Sequence, residues 1–132
     1  DNTILPAPLL PGLRQQIGSF TSRIPPNTTA DANALYILWA GANDYLPTES
    51  LTFKPFTTAD TTLANLTGAV QTLAGVGAKN IMVVNLPTLG KLPRTLGTAD
   101  SQRLNDLTEE HNLGLAQNLN RLRQNLGPTV NL

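Results

Sequence analysis

The sequence predicts an α/β protein organised on a parallel sheet, and three observations carry that prediction. A short apolar run, Leu35–Trp39, leads straight into Gly41, Ala42, Asn43 and Asp44. A second run, Asn80–Leu86, follows a stretch whose leucines and valine recur at helical spacing, so strand, helix and strand alternate. Both runs are short, rich in β-branched or aromatic residues, and apolar at successive positions, which points to strands covered on both faces and paired in parallel.

Taken in order, the first element is a helix with Leu13, Ile17, Phe20 and Ile24 on one face. Pro6, Pro8 and Pro11 hold the segment before it extended, and Pro25 with Pro26 stops it. The central strand is Leu35–Trp39, with Trp39 read as a core residue. Gly41 lets the backbone turn at the strand tip without a Cβ penalty. In open α/β sheets the ligand crevice lies beyond the carboxyl ends of the strands, so Gly41, Ala42, Asn43 and Asp44 stand where chemistry is expected. The Asn43 amide N–H suits a developing oxyanion. Asparagine is also a common turn residue that bonds its own backbone, and that reading stands beside the first.

The chain is then irregular to about residue 58, interrupted by Pro47 and Pro55 and packed down by Phe53 and Phe56, and this long connection is expected to wall the crevice. A second helix follows, with Asp60 as N-cap, Leu63, Leu66, Val70 and Leu73 on its buried face, and Gly75 and Gly77 at its end. The crossover it makes into Asn80–Leu86 is expected to be right-handed. After a loop from Pro87 to Gly97, the last helix carries Leu104, Leu107, His111, Leu115, Leu119, Leu122 and Leu126 in steps of three or four, closed by Gly127 and Pro128. Residues 129–132 read as the start of a third strand. A doubly wound sheet needs more strands than these to bury its helices, so part of the sheet is expected to be missing.

Composition narrows the function. A chain of 132 residues fits a single domain. Nine Lys and Arg balance nine Asp and Glu and lie scattered, which gives no electrostatic footprint for nucleic acid or an anionic membrane. Cysteine is absent, which excludes disulfides and thiolate metal sites but leaves secretion open. No run approaches the roughly twenty apolar residues of a membrane span, and no signal-peptide pattern opens the chain. The chain starts at Asp1 without a methionine, so a processed, excised or incomplete chain is expected.

Other polar signals read as structural. His111 sits on the apolar stripe of the last helix and is expected to pack there, with a loop carbonyl as partner. Asp44 is expected to tie the turn by accepting backbone N–H bonds. Glu109 and Glu110 fall on the solvated side of the last helix. One histidine, no cysteine and dispersed acids give no metal-ligand spacing, and no cofactor is implied. Gly75 and Gly77 follow a helix instead of preceding one, so they make no phosphate loop. Asn27-Thr28-Thr29 and Asn65-Leu66-Thr67 match the glycosylation pattern, the second inside a helix.

GAND with Tyr45, then GAKNIMVVNLPTLGKLP from Gly77 to Pro93, then EEHNLGLAQNLNRL from Glu109 to Leu122 resemble, in this order, the middle of a GDSL-type lipase or esterase of the SGNH hydrolase superfamily. The resemblance runs from about Leu9 to the end. It implies a three-layer αβα fold with a flavodoxin-like parallel sheet, and hydrolysis of lipid, acylated-sugar or small acyl esters. Of the four signature residues, a serine in GDS, a glycine, the GxND asparagine and a DxxH histidine, only the asparagine carries over, onto Asn43 as oxyanion-hole donor. Gly41 and Asp44 match the same motif as supporting residues. No GDS, GxSxG or DxxH occurs, and Ser19, Ser22, Ser50 and Ser101 have no matching context. The nucleophile and the base are therefore expected outside this chain, and the chain alone is expected to be inactive. Two alternatives remain: a non-catalytic α/β module that self-associates through an exposed sheet edge, and a flavodoxin-like ligand-binding domain, which lacks a phosphate loop.

Overall fold

The computed structural model describes residues 11–48 and 53–132. The proline-rich start, apart from Pro11, and Ser50 lie outside the described residues. The elements in chain order are α1 (Leu13–Thr21), β1 (Leu35–Leu38), a one-turn helix α2 (Ala42–Tyr45), α3 (Asp60–Gly75), β2 (Asn80–Val83), a 3-10 turn (Leu89–Lys91) and α4 (Ser101–Leu126).

β1 and β2 pair in parallel with Leu35 opposite Asn80 and Leu38 opposite Val83. Asn131 makes a parallel bridge to Asn80, with the Ile81 amide donating to the Asn131 carbonyl at 2.8 Å. Where the start of a third strand is expected, the final residues make this isolated bridge beside β2, and the sheet among the described residues has two strands. β2 stops at Val83, shorter than the run to Leu86 expected from its apolar residues. Its partner β1 ends at Leu38, whose carbonyl accepts the Val84 amide at 2.9 Å, and further on Asn112 on α4 accepts from the Leu86 amide and donates to the Leu86 carbonyl, both at 3.0 Å. That amide satisfies Leu86 in place of a neighbouring strand.

All three long helices pack on one face of this sheet. Tyr36 and Leu38 of β1 and Ile81 of β2 meet Phe20 of α1, Val70 and Leu73 of α3 and Leu122 of α4 in one apolar cluster. The opposite face is bare among the described residues: Leu35 is 56% exposed, Ile37 58%, Trp39 68% and Met82 48%. The expectation of strands covered on both faces is therefore corrected, and Trp39 is not a core residue. An apolar run alone cannot tell a face that is covered from one that only asks for cover.

The helices follow their sequence patterns closely. Leu63, Leu66, Val70 and Leu73 are the buried stripe of α3, and Leu104, Leu107, His111, Leu115 and Leu122 that of α4. Each fully buried leucine contributes about 1.5–3 kcal/mol. α1 ends at Thr21, with Ile24 in the turn that follows, where its amide donates to the Thr21 carbonyl. α3 closes in a Schellman motif: the amides of Ala78 and Gly77 donate to Leu73 and Ala74, with Gly77 at φ +104°. Its N-terminus departs from expectation. Ala59, not Asp60, is the N-cap, and the Glu110 carboxylate on α4 accepts the Ala59 amide at 2.9 Å. Glu110 therefore caps a neighbouring helix from its exposed position.

Candidate active site

β1 ends at Leu38, one residue short of the run to Trp39, and past Trp39, Ala40 and Gly41 the chain coils for one turn through Ala42, Asn43, Asp44 and Tyr45. Gly41 has φ +119°, in the left-handed region that favours glycine. Space forbids a side chain there as well, because a Cβ would lie 2.9 Å from Thr62 Cγ2 and 3.1 Å from His111 Cε1. The turn that Gly41 is expected to allow at the strand tip is thus a short helical turn, Ala42–Tyr45, hinged on that glycine.

Three contacts tie the turn down. The Thr62 hydroxyl on α3 donates to Asp44 Oδ2 at 2.7 Å. The Tyr45 hydroxyl meets His111 Nδ1 on α4 at 2.8 Å, with the rings edge-to-face at 5.7 Å. The Phe56 amide donates to the Asp44 carbonyl at 2.7 Å, and Phe56 in turn stacks edge-to-face on Phe53 at 5.8 Å. Two expectations are corrected here. Among the described residues, the Asp44 carboxylate accepts a threonine hydroxyl instead of a backbone amide, and the partner of His111 is a tyrosine hydroxyl instead of a loop carbonyl.

Burial sets the protonation states. Burial pushes the Tyr45 phenol up to about 12, with the Thr62 hydroxyl opposing it. Burial also pushes His111 below the ordinary imidazole value, with the Asp44 carboxylate pulling the other way. A neutral imidazole offers Nδ1 as acceptor for the phenol O–H, which leaves the ring proton on Nε2. Nε2 is buried and has no hydrogen-bond partner among the described residues. His111 itself is 0% exposed. Enclosed in this way, with Nδ1 committed to Tyr45, it cannot reach a substrate as a general base.

The turn opens onto a pocket of about 440 Å³ at the carboxyl ends of both strands. Leu66, Leu86 and Leu89 form its apolar side, and Trp39, Asn43 and Asn65 also line it. Asn43 is an exposed residue on the rim of this pocket. The described part of the connection after the turn lines none of it. The remaining wall comes instead from the start of α1 and from Pro87 to Leu92. A larger groove of about 770 Å³ runs between α3 and α4, away from the strand tips.

The candidates from sequence separate cleanly. Gly41, Asn43 and Asp44 all line the strand-tip pocket, whereas Ser19, Ser22, Ser101 and His111 do not. Ser22 and Ser101 bond backbone carbonyls of Ser19 and Gly90. No group of three His, Cys, Asp or Glu that could hold a metal ion occurs among the described residues. Sequence patterning gives Tyr45, Thr62, Glu110 and Asn112 no anchoring role. Tyr45 adjoins the asparagine motif, and Glu110 and Asn112 flank His111, so sequence adjacency was the available signal.

A protein from Pseudomonas putida described as "Uncharacterized protein in trpE-trpG intergenic region" is 33% identical over 126 residues, covering 96% of this chain and 21% of that protein. The chain thus spans about a fifth of the length of this curated relative. The family model for the GDSL-like lipases and acylhydrolases matches residues 2–131, nearly the whole chain. On that match, the chain belongs to the GDSL-like lipase/acylhydrolase family.

Proposed function

We propose that this chain is the central part of a single α/β domain of a GDSL-type ester hydrolase, with Asn43 as its oxyanion-hole donor and Gly41 and Asp44 supporting the turn. The observation that carries the reading is the placement of Asn43 on a pinned turn at the carboxyl end of β1, beside a pocket with an apolar side. A serine and a histidine supplied from outside residues 1–132 carry out the attack. The serine oxygen bonds to the acyl carbon while the histidine takes its proton. The carbonyl oxygen becomes an oxyanion that accepts from the Asn43 amide, and the histidine returns the proton to the leaving alkoxide. Water then repeats the sequence on the acyl-enzyme. The substrate is a small-molecule or lipid ester whose acyl chain fits the leucine-lined side. No helix among the described residues is long and apolar enough to cross a membrane.

The three-layer αβα architecture belongs to the same proposal. The bare face of Leu35, Ile37, Trp39 and Met82 supports it, because a second helical layer would cover those residues. The test joins this chain to the GDS- and DxxH-bearing segments of an esterase of the same family and measures hydrolysis of a chromogenic ester. In the joined enzyme, Asn43→Ala lowers kcat by about 100- to 1,000-fold. Unchanged turnover would sink the assignment.

The bare face also favours a second reading, a non-catalytic module that self-associates. β1 has no strand on its outer edge among the described residues, and its exposed apolar residues adjoin that edge. Light scattering on the isolated chain separates the two. A clean monomer over a wide concentration range argues against association, and a defined dimer without activity in the joined enzyme argues for it.

A further inference from the structure

We infer that Thr62, Tyr45 and His111 are positioning residues that set the Asn43 amide before substrate arrives. The inference rests on the Asn43 assignment above and names the residues through which the fold enforces it.

An oxyanion donor is effective only when it is held in place ahead of the reaction, and displacements of about 1 Å are costly. Asn43 sits in a helical turn of four residues, Ala42–Tyr45. A turn of that length has no stability of its own. Its order has to come from outside, and two side chains contact it on both sides of Asn43, alongside the Phe56 amide. Thr62 packs its Cγ2 on Gly41 and bonds Asp44, and His111 packs its ring edge on Gly41 and bonds Tyr45. Residues 41, 44 and 45 are therefore held on both sides of Asn43, by side chains 18 and 66 positions removed from their hydrogen-bond partners.

Stability alone does not account for this choice of residues. Tyr45 and His111 are both 0% exposed, and His111 leaves Nε2 buried without a partner among the described residues. A phenylalanine and a leucine would fill the same stripe position and ring site without burying polar atoms, and replacing both members of a buried polar pair by apolar groups is close to neutral for stability. What the apolar pair would lose is direction. A hydrogen bond fixes the Tyr45 side chain, and through it the last residue of the turn, to one geometry, whereas apolar contact tolerates sliding.

The test uses kinetics in the joined enzyme together with urea unfolding of the chain. Thr62→Val keeps the shape and removes the hydroxyl. Tyr45→Phe with His111→Leu removes the buried pair, and Thr62→Ser restores a hydroxyl. Thr62→Val and the paired variant are expected to lower kcat by about tenfold or more with KM within about threefold, while the urea midpoint of the paired variant stays near that of the parent. Thr62→Ser is expected to recover most of the kcat lost in Thr62→Val. If both variants keep kcat within about twofold while Asn43→Ala still costs about 100-fold, the three residues are packing only and the inference is overturned. If Asn43→Ala itself changes nothing, the oxyanion reading fails and this inference fails with it. Should the paired variant not fold, the Thr62→Val and Thr62→Ser comparison decides the matter alone.

Discussion

Gly41→Ala probes the hinge of the turn, and its cost can be worked from geometry. Gly41 has φ +119°, where an L-residue is strained by about 1–2 kcal/mol. The added Cβ would also stand 2.9 Å from Thr62 Cγ2, 3.1 Å from His111 Cε1 and 3.7 Å from Leu86 Cδ1. Ordinary contacts are longer than the first two, so a neighbour must move. Thr62 and His111 cannot swing away freely, because each is buried and its polar atom is committed to Asp44 or Tyr45. Overpacking of that kind costs about 1–3 kcal/mol. The two contributions give a loss of about 2–5 kcal/mol against a total stability of about 5–15 kcal/mol. Urea unfolding of the chain is the assay, with a lowered midpoint and an unchanged slope expected. Gly68→Ala is the control. It lies inside α3 with nothing within 4 Å of a new Cβ, and should stabilise by about 0.5–1 kcal/mol. A Gly41→Ala midpoint within about 0.5 kcal/mol of the parent would refute the reasoning.

Three further outcomes follow from the same framework. Glu110→Ala should cost about 1 kcal/mol in urea unfolding, because it strips the acceptor from the Ala59 amide at the start of α3, and Glu110→Gln should retain about half of that or more. His111 is held neutral below its ordinary value of about 6.5, so the unfolded chain takes up a proton first and stability falls as pH drops from there toward the folded value. As the chain has one histidine, the paired Tyr45→Phe, His111→Leu variant should lose that part of the acid dependence and keep the part due to carboxylates. Tyr45 should lose its proton at about 12 in the folded chain, which an ultraviolet titration of Tyr36→Phe, leaving Tyr45 as the sole tyrosine, reads directly.

Periodicity made the helices legible. The stripes of α3 and α4 are buried as their spacing requires, because steps of three and four admit one buried face and little else. Strand ends were less legible, since their limits depend on distant partners. Nothing in NIMVVNL says that β1 will end at Leu38 or that Asn112 will take the backbone of Leu86, and the apolar run overstates β2, which ends at Val83, by three residues. The same holds for caps. Asp60 has the right chemistry for an N-cap, yet a carboxylate 51 positions away from Ala59 serves that end of α3.

The site was legible as a motif but not as a mechanism of support. Gly41, Asn43 and Asp44 announce a turn at a strand tip, and they do line the strand-tip pocket. Their anchors were hidden because Thr62 looks like any polar residue near a helix start, and His111 looks like a tolerated polar group on an apolar stripe. The pairing of His111 with Tyr45 is a property of the folded chain, where α4 crosses behind the turn.

The bare sheet face and the pocket are one problem in physical terms. Trp39 is 68% exposed, continues the row of Leu35 and Ile37 on the uncovered side of β1, and also lines the pocket beside Asn43. Any layer that covers the row must therefore reach Trp39, and by reaching it must wall the pocket. Leu35 and Ile37, at more than half exposure each, have no partners among the described residues that explain their apolar character. Under the proposed function, the driving force for covering that face, about 25 cal/mol per Å² of apolar surface removed from water, would also exclude water from the place where an oxyanion is proposed to form. Exclusion of water strengthens a hydrogen bond to a developing charge. On that proposal, burial of the sheet face and effectiveness of Asn43 should rise and fall together, and substitutions at Trp39 should affect both.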